Sequence, residues 1–550
     1  MRFKNTRGDL KVFAVAGTQT VLFSLDIAKT KVQGKKLIGF SFERKDKSGS
    51  VKKLNGSKRF QSLKGTAKQN FSLVQTYFWK DYTADPGQSY TYTIKAMMGT
   101  ANNFTVGYEV SIHIETEPLD TGIHSVYFNY GVTGSQAYSN RFENKHVDDL
   151  SPAKKKQALA MLGRELWQDG LLQFVQQAKD SSYRLVGMFY ELQYKEFLLA
   201  LKKAKQNGAS VEIRYSAKAG QKEKNEAAIA AAGIESLCNI RTKVSQPHNK
   251  FMILCKDDKP IEVWTGSTNI TLQGIFGQSN TGHWIKDADV AEKYFQYWNI
   301  IKNNPSVADS AVVSEAIKAD TDLINLKKGT HVFFSPRSSE VLLSHYANLI
   351  DSAEKMACMI IPFNIDDLFR DVYAKDKDYL RYILFEKAAE AKSVQSNDRD
   401  LMITAGAILN TPVEQWVKEI STKTNTGAGI LYVHNKFFLI DPLEKVPVVV
   451  TGSANFSKSS ITLNDENTIV IKGDQRVADI YLTEYSRMFE HFWPRYLSTL
   501  PVRSFSKPLD EGYTWHLDYY NTSKMGFKRK KVFNAMKDAK EKGDFKKIVF

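Results

Sequence analysis

The sequence HNKF stands at residues 248–251 and returns as HNKF at residues 434–437. A second stretch, TGSTN at 265–269, returns as TGSAN at 451–455, so both pairs are offset by 186 residues. A weaker match lies upstream, where VYFN at 126–129 resembles VFFS at 332–335. Several blocks in the same order, two of them at an identical offset, indicate an internal duplication.

Each HNK stretch leads into a short apolar run, which is FMIL in the first copy and FFLI in the second. A short apolar run followed by turn-forming residues is typical of a buried strand, on which residues two apart face the same side. The pattern therefore predicts that His248 projects together with Lys250, and His434 together with Lys436. The same spacing relates the serine and the asparagine of each second stretch, namely Ser267 with Asn269 and Ser453 with Asn455.

An imidazole, an ammonium, a hydroxyl and an amide from each copy suit the cleavage of a phosphodiester. Lysines and amides are preorganised donors for the charge that develops on the phosphate oxygens, so neither a metal nor a cofactor is required. One histidine can attack phosphorus and form a covalent intermediate, while the other protonates the leaving oxygen and then activates water. This chemistry needs both histidines at one phosphate, which a pseudo-two-fold pairing of the two halves would supply.

The second copy resembles the signature of the phospholipase D superfamily, H-x-K-x4-D followed by G-S-x-N. It matches that signature completely, at His434, Lys436, Asp441, Gly452, Ser453 and Asn455. Glu466, eleven residues beyond Asn455, is similar to the family's acidic partner of the histidine. The resemblance covers roughly residues 120–500 and implies a metal-independent phosphodiesterase that works through a phosphohistidine intermediate.

The first copy departs from the signature at Cys255, where the motif has Asp, and at Asn280, where the second copy has Glu466. In the family this Asp is mainly structural, so Cys255 is expected to be a buried small hydrophobe. Glu466 is expected to orient His434 and to favour that ring as the one that becomes positively charged, because a carboxylate stabilises an imidazolium better than an amide such as that of Asn280. The family's usual order instead makes His248 the nucleophile, and the sequence leaves this conflict open.

The pattern of apolar and polar residues changes near residue 118. Before it, apolar residues alternate with polar ones, as in YTYTI at 90–94, which predicts half-buried antiparallel strands. After it, helical periodicity (153–179, 193–207 and 338–353) alternates with strands such as VEIRY at 211–215, which predicts an α/β architecture. We therefore expect a small β-sandwich-like domain followed by two α/β, phospholipase D-like halves and a basic C-terminal extension. The expected boundaries are 1–118, 119–325, 326–500 and 501–550.

The charge balance favours polyanionic partners. The chain has 76 Lys and Arg against 60 Asp and Glu, a formal net charge of +16. Residues 29–68 hold thirteen basic and two acidic residues, and residues 524–550 hold ten basic and three acidic ones. Such an excess attracts nucleic acid or an anionic phospholipid surface, although charge runs can equally form a solvated face.

The hydropathy, the N-terminus and the cysteine content of the chain argue against several classes of protein. No run of 18 apolar residues is present, which argues against a transmembrane segment, and the N-terminus does not have the pattern of a signal peptide. Three cysteines form neither a disulfide framework nor a zinc cluster. A cytoplasmic location fits these features, with export that needs no signal peptide left open. Two motifs in one chain also mean that no dimer is needed to complete the site.

These observations predict a phosphodiesterase, and the positive charge favours a nuclease acting on DNA or RNA. A phospholipase or phosphatidyltransferase acting on membrane phospholipids is the alternative, since relatives cleave lipid headgroups at the same kind of site. The departures in the first copy leave a non-catalytic phosphate-binding module as a further alternative. The expected catalytic and supporting residues are His248, Lys250, Asn269, His434, Lys436, Asn455 and Glu466, supported by Ser267, Ser453 and Asn280.

Overall fold

The structure is a computed structural model that describes residues 1–541, apart from residues 33, 57, 67–71, 134–137, 139–140, 144, 146, 395, 408–432 and 501–507. Its strands form two small N-terminal sheets and two seven-stranded sheets. The strands before residue 118 are β1 Arg2–Arg7, β2 Leu10–Ala16, β3 Val21–Asp26, β4 Leu37–Lys45, β5 Val51–Lys53, β6 Phe78–Asp81, β7 Ser89–Thr100 and β8 Asn103–Glu115.

The N-terminal strands confirm the period-two pattern of the sequence. In β7 the burial alternates along the strand, with Tyr90, Tyr92 and Ile94 inside, because successive side chains of a strand point to opposite faces. The order β5-β4-β7-β8 forms one sheet, while β1, β2, β3 and β6 lie in the other. Apolar side chains from both sheets belong to one core, which is the packing of a sandwich.

The C-terminal stretch contributes to this N-terminal part of the fold. Its last described strand, β23 (Lys540–Glu541), pairs in parallel with β1 at the edge of the sheet. The helix Met525–Asn534 lies against β3, where Lys530 Nζ is 3.0 Å from Asp26 Oδ1. The described basic residues of the tail are thus partly used in contacts with the sandwich, and the stretch 542–550 lies outside the described residues.

The two copies of the sequence repeat form two sheets with the same strand order. The first half contains β9 His124–Phe128, β10 Tyr183–Phe189, β11 Ser210–Ser216, β12 Cys238–Arg241, β13 Lys250–Lys256, β14 Lys259–Gly266 and β15 Thr281–Ile285. The second contains β16 Gly329–Ser335, β17 Met356–Ile361, β18 Leu380–Lys387, β19 Leu401–Ala407, β20 Phe437–Ile440, β21 Val448–Gly452 and β22 Glu466–Lys472.

The order β12-β11-β10-β13-β14-β15-β9 in the first sheet corresponds strand for strand to β19-β18-β17-β20-β21-β22-β16 in the second. In both sheets three strands are mutually parallel and the other four run antiparallel to their neighbours. The mixed sheets and the helices between their strands confirm the predicted α/β class with two equivalent halves.

Helices connect the parallel strands and cover the sheets. Those of the first half are Pro152–Arg164, Leu172–Gln176, Lys195–Gln206, Lys222–Ala232, Ala288–Ile301 and Val307–Ile317, with a π-helical segment at Glu165–Leu171 between the first two. Those of the second half are Val341–Asp351, Asp367–Ala374, Ala388–Ser393, Lys458–Thr462 and Gln475–Ser498; one short helix, Lys29–Val32, precedes them all. The helix Val341–Asp351 begins after Glu340 without a side-chain capping bond, and Ser338 donates to Glu315.

The halves are joined by a helix and by a buried ion pair. Most residues of Gln475–Ser498 are buried, including charged ones such as Glu484 and Arg487, so this helix is surrounded by protein. Its Tyr481 contacts both His283 of the first half and Phe437 of the second. Arg241 donates to both carboxylate oxygens of Asp465, at 2.7 and 3.0 Å, and both side chains are fully buried. Asp465 immediately precedes Glu466, so this contact fixes the segment that carries a predicted site residue.

Candidate active site

The two motif histidines lie at the boundary between the halves, just before the strands β13 and β20. Each histidine has its backbone held by the opposite half: His248 N donates to Asp465 O at 3.0 Å, and His434 N donates to Ser279 O at 3.1 Å. Because the two contacts are equivalent, the halves meet in the predicted pseudo-symmetric way, and each presents its imidazole at the shared boundary.

The motif lysines accompany their histidines, although the motif lies at the start of the strand and not within it. Lys250 is the first residue of β13, and Lys436 directly precedes β20. Each ammonium donates to the backbone carbonyl of its own histidine, Lys250 to His248 O at 2.8 Å and Lys436 to His434 O at 2.9 Å. Both lysine side chains are almost completely buried, and no ion pair within the described residues neutralises them at salt-bridge distance.

Each GSxN stretch needs a glycine because its backbone lies very close to the backbone of the neighbouring strand. Gly266 and Gly452 end β14 and β21 with φ of 138° and 153°, a region that favours glycine. A Cβ atom on either residue would stand 2.2 Å from a carbonyl oxygen of the neighbouring strand, that of Thr281 or Asn467. The chain therefore leaves the sheet at this glycine, and the serine and asparagine that follow it lie in the loop and not on a strand.

The asparagines of these loops have unused hydrogen-bonding capacity at the site. The side-chain oxygens of Asn269 and Asn455 are buried and have no hydrogen-bond partner in the described part of the chain. These unpaired oxygens are acceptors, so a donor such as water or a substrate hydroxyl would satisfy them, and only the amide Nδ2 atoms could donate to a phosphate oxygen. The serines instead serve as braces: Ser267 Oγ donates to Asn280 Oδ1 at 2.8 Å, and Ser453 Oγ donates to Glu466 Oε2 at 2.6 Å.

The expectation that Glu466 orients His434 is wrong, because the carboxylate belongs to the other histidine. Both oxygens of Glu466 lie 2.9 Å from Nδ1 of His248. Since β22 carries Glu466 to the boundary opposite the first half, the nearest imidazole is the one from the other copy of the repeat. The partners of the histidines are thus exchanged between the halves, and the carboxylate supports His248.

The amide of Asn280 has the mirror-image role. Its Oδ1 lies 2.9 Å from Nδ1 of His434, and its Nδ2 donates to the carbonyl of Gly274 at 2.8 Å. Because the Gly274 and Ser267 bonds fix which end of the amide is the oxygen, His434 Nδ1 must donate, and Nε2 is the nitrogen with the free lone pair. Asn280 is therefore a positioning residue for His434 and not a phosphate-binding one.

Because Glu466 contacts His248 and not His434, the carboxylate and the family's usual order now favour the same histidine as the nucleophile. An imidazole that attacks phosphorus and bonds to it becomes cationic, and a carboxylate at Nδ1 stabilises that charge. His248 has this carboxylate and also holds the first position in the chain. His434 is held only by an amide, so its imidazolium releases a proton to a leaving group more easily, and the neutral ring that remains can accept one from water.

Burial and mutual repulsion discourage positive charge throughout the empty site. Burial lowers the pKa of His248 well below its usual value, and Lys250, Lys436 and His434 add to this effect. Burial and the same two lysines lower the pKa of His434. The pKa of Lys250 falls to about 8 because of burial, opposed by Glu466, whose own pKa burial raises to about 8. A phosphodiester anion would reverse the lysine shift by supplying the missing negative charge.

The lowered lysine pKa predicts a specific pH dependence. Lys250 is protonated below a pKa of about 8 in the free enzyme, so its donors for the phosphate are lost as the pH rises through that value. The carboxylate of Glu466, which stabilises the imidazolium, gains its charge as the pH rises through about 8. We therefore expect kcat/KM to pass through a maximum near pH 8 and to fall above it, whereas kcat falls at a higher pH because bound phosphate raises the lysine pKa again. Initial rates between pH 6 and 9.5 test this. A kcat/KM that stays constant to pH 9.5 would contradict the assignment of Lys250 as a phosphate ligand.

The two residues at the aspartate position of the motif have different structural roles. Asp441 leaves its strand at φ 47° and accepts hydrogen bonds from the backbone N–H groups of residues 354–356. Cys255 instead continues β13 and packs into the apolar core, as predicted. Burial raises the pKa of its thiol to about 12, so it is neither a thiolate nor a nucleophile.

Three residues next to the histidines were not predicted from the sequence. The ring of Tyr190 lies 4.9 Å from the ring of His248, and the ring of Phe363 lies 6.2 Å from the ring of His434. Glu191 follows Tyr190, and burial raises its pKa while Lys250 opposes this. The sequence could have indicated these residues only through their position in the loops that follow the parallel strands β10 and β17.

Comparisons with known proteins give one family. The model of the family described as "Cardiolipin synthase, PLD-like domain" matches residues 171–301 and 347–493, which together are half of the chain. The mitochondrial cardiolipin hydrolase of Mus musculus is 33% identical over 72 residues, which is 13% of this chain and 30% of the relative. The human protein of the same name is 33% identical over the same length, or 27% of that relative. The chain thus matches less than a third of the length of either relative.

Solved structures with partial similarity include three of different description. Phosphatidylserine synthase from Haemophilus influenzae has a TM-score of 0.39 and 12% identity, over 60% of this chain and 87% of that one. Yeast tyrosyl-DNA phosphodiesterase has a TM-score of 0.31 and 11% identity, over 54% and 86%. Nuc from Salmonella typhimurium, a phospholipase D family member, has a TM-score of 0.21 and 26% identity, over 25% and 91%.

Proposed function

The chain belongs to the family of phospholipase D-like domains, and from that premise we propose that it is a phosphodiesterase that cleaves nucleic acid through a phosphohistidine. The observation that carries the proposal is the pair of buried histidine–lysine motifs at one boundary, one histidine supported by a carboxylate and the other by an amide. This pairing supplies a nucleophile and a separate acid at one phosphate.

In the proposed reaction Nε2 of His248 attacks phosphorus while Glu466 stabilises the imidazolium through Nδ1. Bound phosphate offsets the charge of the neighbouring lysines, so that His434 enters the reaction as an imidazolium and gives its Nε2 proton to the leaving oxygen. The resulting neutral ring then takes a proton from the water that hydrolyses the intermediate. Lys250, Lys436, Asn269 and Asn455 surround the phosphate oxygens and stabilise the added charge. Neither step draws on a metal or a cofactor.

Surface chemistry supports nucleic acid as the substrate. The segment after β11 carries Lys218, Lys222 and Lys224 against Glu223 and lies at the end of the sheet where Tyr190 begins its loop.

A phospholipid is the second candidate substrate, because the matching family and the curated relatives carry cardiolipin in their descriptions. No helix among the described residues is long and apolar enough to cross a membrane. The net charge of +16 would attract the anionic headgroups at the surface of a bilayer.

One activity panel separates these substrates. The protein is incubated in EDTA with single-stranded DNA, duplex DNA, RNA and vesicles that contain cardiolipin, and the His248→Asn and His434→Asn variants serve as controls. We expect nucleic acid to be cleaved, with binding that weakens steeply as salt rises. If headgroup is released from the vesicles while the nucleic acids stay intact, the substrate is a phospholipid and the proposal is wrong. If no substrate is turned over, the protein is better explained as a binding module.

A further inference from the structure

The half-buried aromatic rings at the site form a pair with equivalent positions in the two halves. Tyr190 directly follows β10, and Phe363 follows β17, the corresponding strand of the second sheet. Lys250 Nζ lies 5.3 Å from the centre of the Tyr190 ring, and Lys436 Nζ lies 5.8 Å from the centre of the Phe363 ring. Each phosphate-binding lysine thus has one aromatic ring beside it.

The backbone of the loop that carries Tyr190 is held by several hydrogen bonds. Asn225, fully buried at the start of a helix, donates to Tyr190 O at 3.1 Å and accepts from Leu192 N at 2.9 Å. Leu192 forms an isolated bridge with Ile270, which directly follows Asn269. Tyr190 N also donates to the backbone carbonyl of residue 249, at 3.0 Å. The loop is therefore fixed to the histidine segment and to the asparagine loop at the same time.

A phosphodiester in a nucleic acid has a nucleoside on each side, so two rings beside one phosphate match two bases. Aromatic faces stack bases of any sequence, and a base stacked on a side chain has left its own helical stack. We propose that Tyr190 and Phe363 stack the bases that flank the scissile phosphate, and that the substrate is therefore single-stranded. This inference rests on the proposed function and names the form of the nucleic acid.

The competing explanation is that both rings only pack against the histidines. The variants Tyr190→Leu and Phe363→Leu, which keep apolar volume, distinguish the two when each is tested on matched oligonucleotides. One oligonucleotide has bases on both sides of a defined scissile phosphate, and the other is abasic at both of these positions. We expect the native protein to cleave the base-containing strand about 10-fold faster or more. Each variant should lose much of that difference, measured as the ratio of its own rates on the two strands, so that any effect on the histidines cancels.

Two results would overturn the inference. Equal losses on both oligonucleotides would assign the rings to histidine packing, and cleavage of duplex DNA as fast as of the single strand would remove the single-strand requirement. Failure of the proposed function gives a different pattern, because no oligonucleotide would then be cleaved at all while vesicle lipid or no substrate is turned over.

Discussion

Replacement of His248 by Asn is expected to lower turnover by about 10,000-fold or more, because the protein then has no nucleophile with a carboxylate at Nδ1. The ring is bonded to Glu466 at 2.9 Å, whereas the other imidazole, His434, has only the amide of Asn280 at Nδ1 and is the poorer nucleophile. Single-turnover rates measure the loss. Near-native activity in this variant would remove the site from consideration.

The matching variant, His434→Asn, should fail differently. It retains the nucleophile but has no base for water, so a substrate with a good leaving group is expected to phosphorylate the protein and stop. Mass spectrometry of the trapped protein should find the modification on His248. A phosphoryl group on His434 in the native protein, or trapping in the His248→Asn variant, would reverse the assigned roles. Circular dichroism of both variants serves as the folding control.

Much of the architecture follows from the repeat in the sequence. The recurrence of HNKF and TGSxN at one offset predicts two equivalent halves, and the identical strand order of the two seven-stranded sheets confirms this. The alternation in YTYTI likewise predicts the buried faces of β7. These features are predictable because they depend on local periodicity and on copies of the same pattern, which one sequence displays directly.

The partnership of the histidines could not be predicted in the same way. Glu466 lies closer in sequence to His434, so local order favours that pair, but the bond forms with His248, 218 residues away. The packing of the two complete sheets decides which histidine Glu466 meets. Contacts between the halves, such as that of Arg241 with Asp465, fix this packing, and spacing along the chain does not reveal it. Tyr190 could not be predicted for the same reason, because its contact with an imidazole forms only when the loop is folded.

The exchanged partners make Glu466→Gln the second large expected effect, a loss of about 1,000-fold or more in kcat. The amide oxygen can still accept from Nδ1 of His248 and Ser453 can still brace the side chain, so the geometry is kept and only the negative charge is lost. KM should change little. A loss below 10-fold would mean that the charge of Glu466 does not stabilise the intermediate.

The double variant Glu466→Gln with Asn280→Asp tests why the two halves differ. It moves the carboxylate from His248 to His434 and leaves the net charge of the site unchanged. If the charge alone selected the nucleophile, activity would return with His434 phosphorylated. We expect no recovery, because Nδ2 of Asn280 donates to the carbonyl of Gly274, and a carboxylate oxygen in its place would be repelled by that carbonyl and would not hold His434 as Glu466 holds His248. Recovery within 10-fold of the native rate would show instead that the site is functionally symmetric and that a single carboxylate sets its direction.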